Sequence, residues 1–377
     1  MMWLLLFGLT AMVVMLPLIP ALVEWRWPTD VVPLFIDKDD AVDPTFLARS
    51  FASHLATAQA LGQTHLGRCR IATILPRTPW PLDARERAAA RSRRVWDVIG
   101  DAEFPDGVAF LGEVASRGSM HAAPGGIYRA LWAGADMHLP ARCTVLRWAH
   151  GARIDVGKGC ALAGRVSADE VITVANGTTF VLLHAPAVRF APVWSGRARM
   201  PMPLPAIPPG MLGSGLPESV RWDPASARGS CEASLDIGDG CGWGGDLVCG
   251  GNLRVGAGCK VQGSLKARGA LTLGAGCAVT GSLVAEGTIK LGPGCTVRGS
   301  VISESRIVLC KGCVIGASDH PCTVAAPRID VGSGVVVHGT VWAGERGRCL
   351  GTDVVLPEAA EAVARPRSAT TALEAAV

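Results

Sequence analysis

Apolar residues recur every six positions through the second half of the chain, and three such intervals make one longer repeat. One repeat holds its apolar residues at Leu273, Cys277, Val279, Leu283, Ala285, Ile289 and Leu291. They alternate with polar residues, as in short strands that bury one face, and glycines such as Gly274 and Gly276 stand at the corners. The pattern predicts an all-β solenoid, a three-sided parallel β-helix with about 18 residues per turn.

A column of cysteines follows the same spacing, at Cys241, Cys259, Cys277, Cys295 and Cys313. Stacked turns bring such residues into register, where they pack as small buried hydrophobes. A thiolate metal site is the alternative, and Cys310 forms a CxxC pair with Cys313, but no second pair is placed to complete a ligand set. We therefore predict no metal and no cofactor, and we expect the column thiols to be reduced, free and slow to react.

The repeat is strict over 238–309 and looser on both sides. A loop around Asp319 is expected to add residues to one turn, and the string Arg-Ile-Asp-Val-Gly occurs twice, at 153–157 and 328–332, which supports one coil with an interruption. The interruption is a proline-rich segment, which cannot continue the strand ladder because proline has no amide hydrogen to donate. The predicted boundaries are a first part of the β-helix over 139–191, a proline-rich insertion over 192–235, a second part over 236–356 and a flexible alanine-rich tail over 357–377.

The start of the chain has a different pattern. The run from Trp3 to Val23 carries no charged residue, and about 20 apolar residues span a bilayer core. We predict a transmembrane anchor over 3–23 rather than a cleaved signal peptide, which would need a basic segment in front. Arg26 and Lys38 follow the span and no basic residue precedes it, so the positive-inside rule places the bulk of the chain in the cytoplasm.

Residues 28–138 form a predicted membrane-proximal region of mixed α/β structure. Asp43 and Pro44 predict a helix that ends near Ala60, and a strand with a turn is expected over 68–79. A further helix over 83–98 would carry five arginines, Arg85, Arg87, Arg91, Arg93 and Arg94. These arginines form either a solvated face or a contact with anionic headgroups. Nucleic acid is disfavoured, because the net charge is only +4 and no aromatic residues are interleaved for stacking.

Two classes of enzyme use solenoids of this kind. Hexapeptide acyltransferases wind in a left-handed β-helix of similar period and use a histidine base, for which His320 and His338 are the candidates, while His150 and His184 are expected to be structural. None has a carboxylate nearby in sequence to orient it. Polysaccharide-cleaving β-helices need clustered carboxylates, and the acids here are scattered. We predict that the chain is not an enzyme, with the acyltransferase as the alternative that a left-handed coil would favour.

The motif Gly-x-Gly-Cys-x-Val-x-Gly-Ser-Leu-x-Ala, followed by Ile-x-Leu, resembles the repeat of the bactofilins, the polymer-forming cytoskeletal proteins of bacteria. The resemblance covers 139–356 without the insertion and is best over 238–309. It implies a right-handed, three-sided β-helix that polymerises end to end without a nucleotide, with a membrane-targeting N-terminus in some members. This chain is longer than a simple bactofilin, and its coil is split.

The expected function is that of a membrane-anchored scaffold at the inner face of the bacterial inner membrane. Its partners would be other copies of itself, the lipid bilayer and cell-envelope proteins, and not nucleic acid. The open ends of a parallel coil expose unpaired backbone, which association would satisfy. The candidate self-association residues are Leu131, Met137 and Leu139 at one end and Val335, Val337, Val341, Val354 and Leu356 at the other.

Overall fold

Short strands stack in register over most of the chain, and glycines form the corners between them. The computed structural model describes residues 2–19, 23, 26, 43–75, 78–191 and 216–351. These residues fall into two units, Met1–Asp43 and Pro44–Val377. The second unit is a β-solenoid of about 13 turns with about 18 residues per turn. The solenoid and its period are therefore as the sequence predicts.

The first unit contains helix α1 (Met2–Met15), followed by a 3₁₀ turn (Leu16–Leu18). Pro17 lies in that turn, and proline has no amide hydrogen for a continuing α-helix. Among the described residues, no helix is both long enough and apolar enough to cross a membrane. The predicted anchor over 3–23 is thus not supported by the helix that is seen within it.

The described part of the second unit contains two further helices. Helix α2 (Phe46–Ala60) confirms the helix predicted after Pro44. Helix α3 (Ala84–Ala89) starts at an Asp83–Glu86 capping box but is much shorter than the predicted span of 83–98. The residues that follow Ala90 pair with neighbouring strands, so three of the five arginines expected on a helix, Arg91, Arg93 and Arg94, lie on or between strands.

The first coil comprises strands β1–β12. Their bounds are β1 (His65–Leu66), β2 (Cys69–Ile74), β3 (Arg91–Ser92), β4 (Val95–Val98), β5 (Ala102–Glu103), β6 (Ala109–Ser116), β7 (Met120–His121), β8 (Ile127–Ala133), β9 (Met137–Leu139), β10 (Thr144–Val156), β11 (Ala161–Val174) and β12 (Thr179–Phe190). The strand predicted near 68–79 is confirmed. Parallel pairing links β2 to β4, β4 to β6, and so on to β12.

The first coil begins earlier than residue 139, where the sequence places its start. Inward positions stack from Trp96 through Val114 to Leu131, and from Phe110 through Tyr128 to Val145. Large aromatic side chains fill the first turns, whereas the strict repeat from Leu247 to Leu309 is filled mainly by aliphatic residues and cysteines. The early turns therefore lack the cysteine column of the strict repeat, although Gly107 and Gly125 form the same positive-φ corner and the backbone follows the same path. Much of the predicted membrane-proximal region therefore belongs to the first coil of the β-solenoid.

Helix α2 lies against the outer side of one face of this coil. Its buried residues Ala48, Phe51 and Leu55 pack against outward residues of successive strands, among them Ala115 and Trp148. The Phe51 and Trp148 rings are 5.3 Å apart. The amphipathic helix thereby covers apolar side chains that would otherwise face solvent.

The second coil comprises strands β13–β30. Their bounds are β13 (Arg221–Asp223), β14 (Arg228–Cys231), β15 (Leu235–Ile237), β16 (Gly242–Gly244), β17 (Asp246–Cys249), β18 (Leu253–Val255), β19 (Lys260–Gln262), β20 (Leu265–Ala267), β21 (Leu271–Leu273), β22 (Ala278–Val279), β23 (Leu283–Ala285), β24 (Ile289–Leu291), β25 (Thr296–Val297), β26 (Val301–Ser303), β27 (Arg306–Leu309), β28 (Val314–Ile315), β29 (Cys322–Gly332) and β30 (Val335–Gly351). Strands three apart pair in parallel, as in β17, β20 and β23.

The corners of the second coil explain its glycines. Gly276 has a φ of +68°, a left-handed conformation that side chains disfavour. Gly274 lies against the turn below, where an added Cβ would be 2.5 Å from the Ala257 nitrogen. The predicted loop near Asp319 is also present, because Val301 pairs with Val324 rather than with a residue 18 positions later.

The two coils do not form one interrupted coil, contrary to the expectation from the repeated Arg-Ile-Asp-Val-Gly string. The last strand of the first coil, β12, pairs antiparallel with the last strand of the second, β30. Because all other neighbours within each coil are parallel apart from the edge hairpins β1–β2 and β13–β14, this pairing means that the coils run in opposite directions and meet tail to tail. Of the predicted insertion over 192–235, residues 192–215 lie outside the described residues, and strand β14 already belongs to the second coil.

Candidate assembly site

The tail-to-tail junction joins two coil ends along all three faces. Leu183 faces Val341, Val188 faces Val337, and Phe190 faces Val335. Each of these side chains is fully buried. The register breaks only between Phe180 and Leu182 and between Ala185 and Val188, where the chain turns from one face to the next.

Backbone and side-chain hydrogen bonds complete the junction. The Gly334 amide donates to the Phe190 carbonyl at 2.8 Å, and the Cys349 amide donates to the Thr178 carbonyl at 2.9 Å. His184 Nδ1 lies 2.9 Å from Thr340 Oγ1. Gly347 permits the close approach, since an added Cβ would lie 2.1 Å from the Phe180 ring. Both tail edges are therefore satisfied within one chain.

The self-association residues predicted at the C-terminal end are buried within this junction. Val335, Val337 and Val341 form the core of the contact with β12, so they are not an open surface. Val354 and Leu356 lie outside the described residues. The physical reason is the direction of the second coil, which turns its tail toward the first coil rather than toward solvent.

Leu131, Met137 and Leu139 were expected at the opposite end, and the structure places them inside the first coil. All three are at most 1% exposed, and the strands that carry them, β8 and β9, are paired with other strands on both sides. The expectation was wrong because several turns precede these residues. They are ordinary core positions.

The apolar interior at the N-terminal end of the first coil is covered, although among the described residues β3 and β5 each pair with a strand on one side only. Strand β1 pairs antiparallel with β2, and the Trp80 ring packs against Phe104 and Phe110 with centroids about 5 Å apart. The Trp80 indole donates to the Glu103 carbonyl at 2.6 Å. This aromatic group closes the apolar interior of the first turn.

The N-terminal end of the second coil differs. Hairpin β13–β14 covers one of its three faces, but in the described part of the chain no strand pairs with the outer edge of β15 or β16. Leu235 donates to the Asn252 carbonyl, and the Ile237 carbonyl accepts from Gly256. Because parallel strands alternate the direction of their groups, the amide and carbonyl of Asp236 point toward the free edge. We call β15 and β16 the open head.

Trp243 lies in this terminal turn. Its side chain is fully buried, and its indole N–H has no hydrogen-bond partner among the described residues. A buried polar group without a partner is unfavourable by about 1–3 kcal/mol. The open head therefore combines unpaired strand edges with an unsatisfied donor.

The column cysteines lie in register, as the sequence predicts, and the described structure shows all of them as free thiols. Each internal thiol donates to a glycine carbonyl of the preceding corner, as Cys277 does to Gly256 at 2.9 Å and Cys295 does to Gly274 at 3.0 Å. Cys241 lies between the two strands of the open head and is partly exposed, and no described residue forms a turn beneath it. The thiol thus acts as a small donor that an aliphatic residue could not replace, a role that the spacing alone does not reveal.

The environment raises the pKa values of internal column thiols such as Cys259 and Cys277. Burial raises the pKa of Cys259 to about 11. Hydrogen bonding of the Cys277 thiol with the Cys295 thiol, followed by burial, raises the pKa of Cys277 well above its ordinary value. The thiolate is the form that reacts and binds metals. Across the described residues, no three His, Cys, Asp or Glu side chains are grouped to hold a metal ion.

The two candidate catalytic histidines, His320 and His338, and the two expected to be structural, His150 and His184, have structural partners or lie in a turn. His150 Nδ1 is 2.9 Å from Ser167 Oγ, His338 Nδ1 is 2.9 Å from the Pro186 carbonyl, and His184 bonds across the junction. His320 is exposed in the loop beside Ala317. Burial lowers the pKa of His184.

Serines form a second ladder that the sequence analysis did not assign. The Ser282 amide donates to Ser264 Oγ at 3.2 Å, and the Ser300 amide donates to Ser282 Oγ at 3.1 Å. The ladder starts at Asp246, whose carboxylate accepts from the Ser264 amide at 2.7 Å. The serine of the Gly-Ser-Leu motif is the signal for it.

No protein-family model, curated protein or solved structure matches the chain. Function is therefore inferred from the contacts within the chain itself.

Proposed function

We propose that the protein is a bactofilin-like structural scaffold that self-associates through a coil end without a nucleotide. The observation that supports this proposal is the tail-to-tail junction, in which two coil ends of the same design join by antiparallel strand pairing. A chain whose own ends associate in this way has the chemistry for association between copies. The right-handed winding implied by the family resemblance is part of the proposal.

The proposed site of association is the open head rather than either of the two sets of residues that the sequence suggests. The two tails already pair with each other, and Trp80 and β1 cover the head of the first coil. Edge strands β15 and β16 retain free donors and acceptors, and such edges pair readily with another chain. A second copy would place its own open head against them about a two-fold axis.

A contact made through the open head alone gives a closed dimer rather than an endless filament. A two-fold contact uses the same surface on both partners and leaves none free. Longer assemblies would need a further contact. We propose the dimer as the unit of the scaffold and retain membrane attachment through the apolar segment 3–23, with the coils on the cytoplasmic side, as part of the same proposal.

The test is the mass of the full-length protein in detergent, measured by light scattering with detergent correction. We expect twice the chain mass of 39.2 kDa. Asp236→Pro removes the free-edge amide while leaving the bonds to β18 in place, since an edge strand tolerates proline where its amide faces outward. This variant should be monomeric, and Asp236→Ala should remain dimeric. A wild-type monomer at all concentrations, or equal masses for the two variants, would refute assembly through the open head.

A further inference from the structure

Four arginines converge on the outer face of the second coil next to the junction. Arg306, Arg328 and Arg346 are consecutive members of one column across β27, β29 and β30. Arg348 lies two residues beyond Arg346, in register with Asp330. Adjacent strands lie about 4.8 Å apart, and like charges directly opposite each other destabilise a sheet. The arrangement therefore needs a compensating negative charge.

Asp330 supplies part of that charge. Its side chain is only 3% exposed, and it accepts from Arg306 Nε at 2.8 Å and Arg348 Nε at 2.7 Å. Burial alone would raise the pKa of Asp330, but hydrogen bonds from the two arginines hold it below the ordinary value. The carboxylate thus stays ionised and fixes the two guanidinium groups.

The remaining charge is not balanced. Arg328 lies 3.5 Å from Glu345, and both side chains are two-thirds exposed. Four arginines against Asp330 and Glu345 leave an excess of two positive charges. The five residues Arg306, Arg328, Asp330, Arg346 and Arg348 line a cavity of about 230 Å³, which is smaller than the usual site for a drug-sized ligand.

The chain contains its own comparison. Arg153 and Arg328 each begin the string Arg-Ile-Asp-Val-Gly. Arg153 lies 3.1 Å from Asp136 and 3.4 Å from Glu170, so acids surround it, whereas Arg328 stands between Arg306 and Arg346. The excess of arginine is therefore specific to the second copy and is not a requirement of the repeat.

We propose that this arginine cluster binds a phosphate group. Guanidinium groups present paired donors that match the oxygens of phosphate and remain charged at any physiological pH. Arg306 and Arg348 are already oriented by Asp330, and Arg346 and Arg328 complete the wall. The cavity admits a single phosphoryl group, either free or as the headgroup of a lipid. The site is independent of the open head.

Inorganic phosphate is the first probe, with the full-length protein in detergent at about 0.15 M NaCl to screen weak surface contacts. Isothermal titration should show binding, and Arg346→Gln should weaken it at least about tenfold, as expected for a lost charged hydrogen bond. Arg153→Gln is the matched control and should bind as wild type does. Arg346→Lys should lie between them, and circular dichroism checks that each variant folds.

Vesicles distinguish the two sources of phosphate. We compare flotation with phosphatidylcholine vesicles and with vesicles that also contain phosphatidic acid. If Arg346→Gln abolishes the extra recruitment by phosphatidic acid, the ligand is a lipid headgroup; if recruitment is unchanged while phosphate binding is weakened, it is a soluble phosphate. Absence of binding to both probes, or equal weakening by Arg153→Gln, overturns the proposal.

Discussion

The column thiol of Cys277 offers a direct test of how the coil is stabilised. The side chain is 1% exposed, and its Sγ donates to the Gly256 carbonyl of the turn below at 2.9 Å. Cys277→Ala removes one buried heavy atom and one hydrogen-bond donor. We expect both losses to destabilise the folded state.

The magnitude follows from these two losses. A void the size of one side-chain atom costs about 1 kcal/mol in a packed core. A buried carbonyl that loses its donor costs about 1–3 kcal/mol, and the lower end applies because a thiol is a weak donor. We therefore expect Cys277→Ala to lower the free energy of unfolding by about 2 kcal/mol. Cys277→Asp should prevent the coil from forming, because it buries an unpaired charge.

Cys241→Ala is the matched control. Cys241 belongs to the same column but lies in the open head, partly exposed, and its nearest acceptor is the Asp239 carbonyl at 3.8 Å. We expect a change below about 0.5 kcal/mol. The assay is urea unfolding of the full-length protein in detergent, with the midpoints compared at unchanged slope. Equal shifts for the two variants would show that the bond to the lower turn contributes nothing.

Four further predictions concern the reactivity of the thiols, the tail-to-tail junction, the docking of helix α2 and the pH dependence of stability. In native protein, Cys241 should react with a thiol reagent first and the buried Cys259 and Cys277 last, because raised pKa values keep them protonated; uniform labelling, or a disulfide within the column, would contradict this. Val341→Asp should separate the coils and expose β12 and β30 to protease, since it places a charge in the apolar junction, whereas the outward Val284→Asp should not; equal cleavage would refute the junction. Phe51→Ala should release α2, with a loss of about 3 kcal/mol, the lower end of the range for a buried phenylalanine, seen as faster amide exchange over 46–60; unchanged exchange there would argue against the docking of α2 on the coil. Because burial lowers the pKa of His184 from the ordinary 6.5, the unfolded chain takes up the proton first, so stability should be constant above about pH 6.5 and fall as the pH drops below it. His184→Gln should flatten that fall in a thermal unfolding series, and an identical series for both proteins would exclude His184 as its source.

The sequence alone determined the turn of the coil. Small apolar residues at fixed spacing, with glycine at the corners, leave a stacked parallel strand as the arrangement that buries every marked position. The register of the cysteine column followed directly, as did helix α2 and the loop near Asp319. The early turns do not show the repeat pattern in the sequence, because Trp96, Phe110 and Tyr128 fill the interior where the strict repeat uses aliphatic residues. The composition of these turns differs from that of the strict repeat, but their backbone follows the same path.

The tertiary structure decided the direction of the second coil and everything that depends on it. A repeat of apolar positions looks the same whichever way its coil points, so the pattern could not show that β12 meets β30 antiparallel. That junction buries Val337 and Val341 and leaves β15 and β16 as the free edge. The strand register also brings the arginines of the cluster together. Arg306 and Arg328 are 22 positions apart because of the inserted loop, and only strand pairing places them side by side.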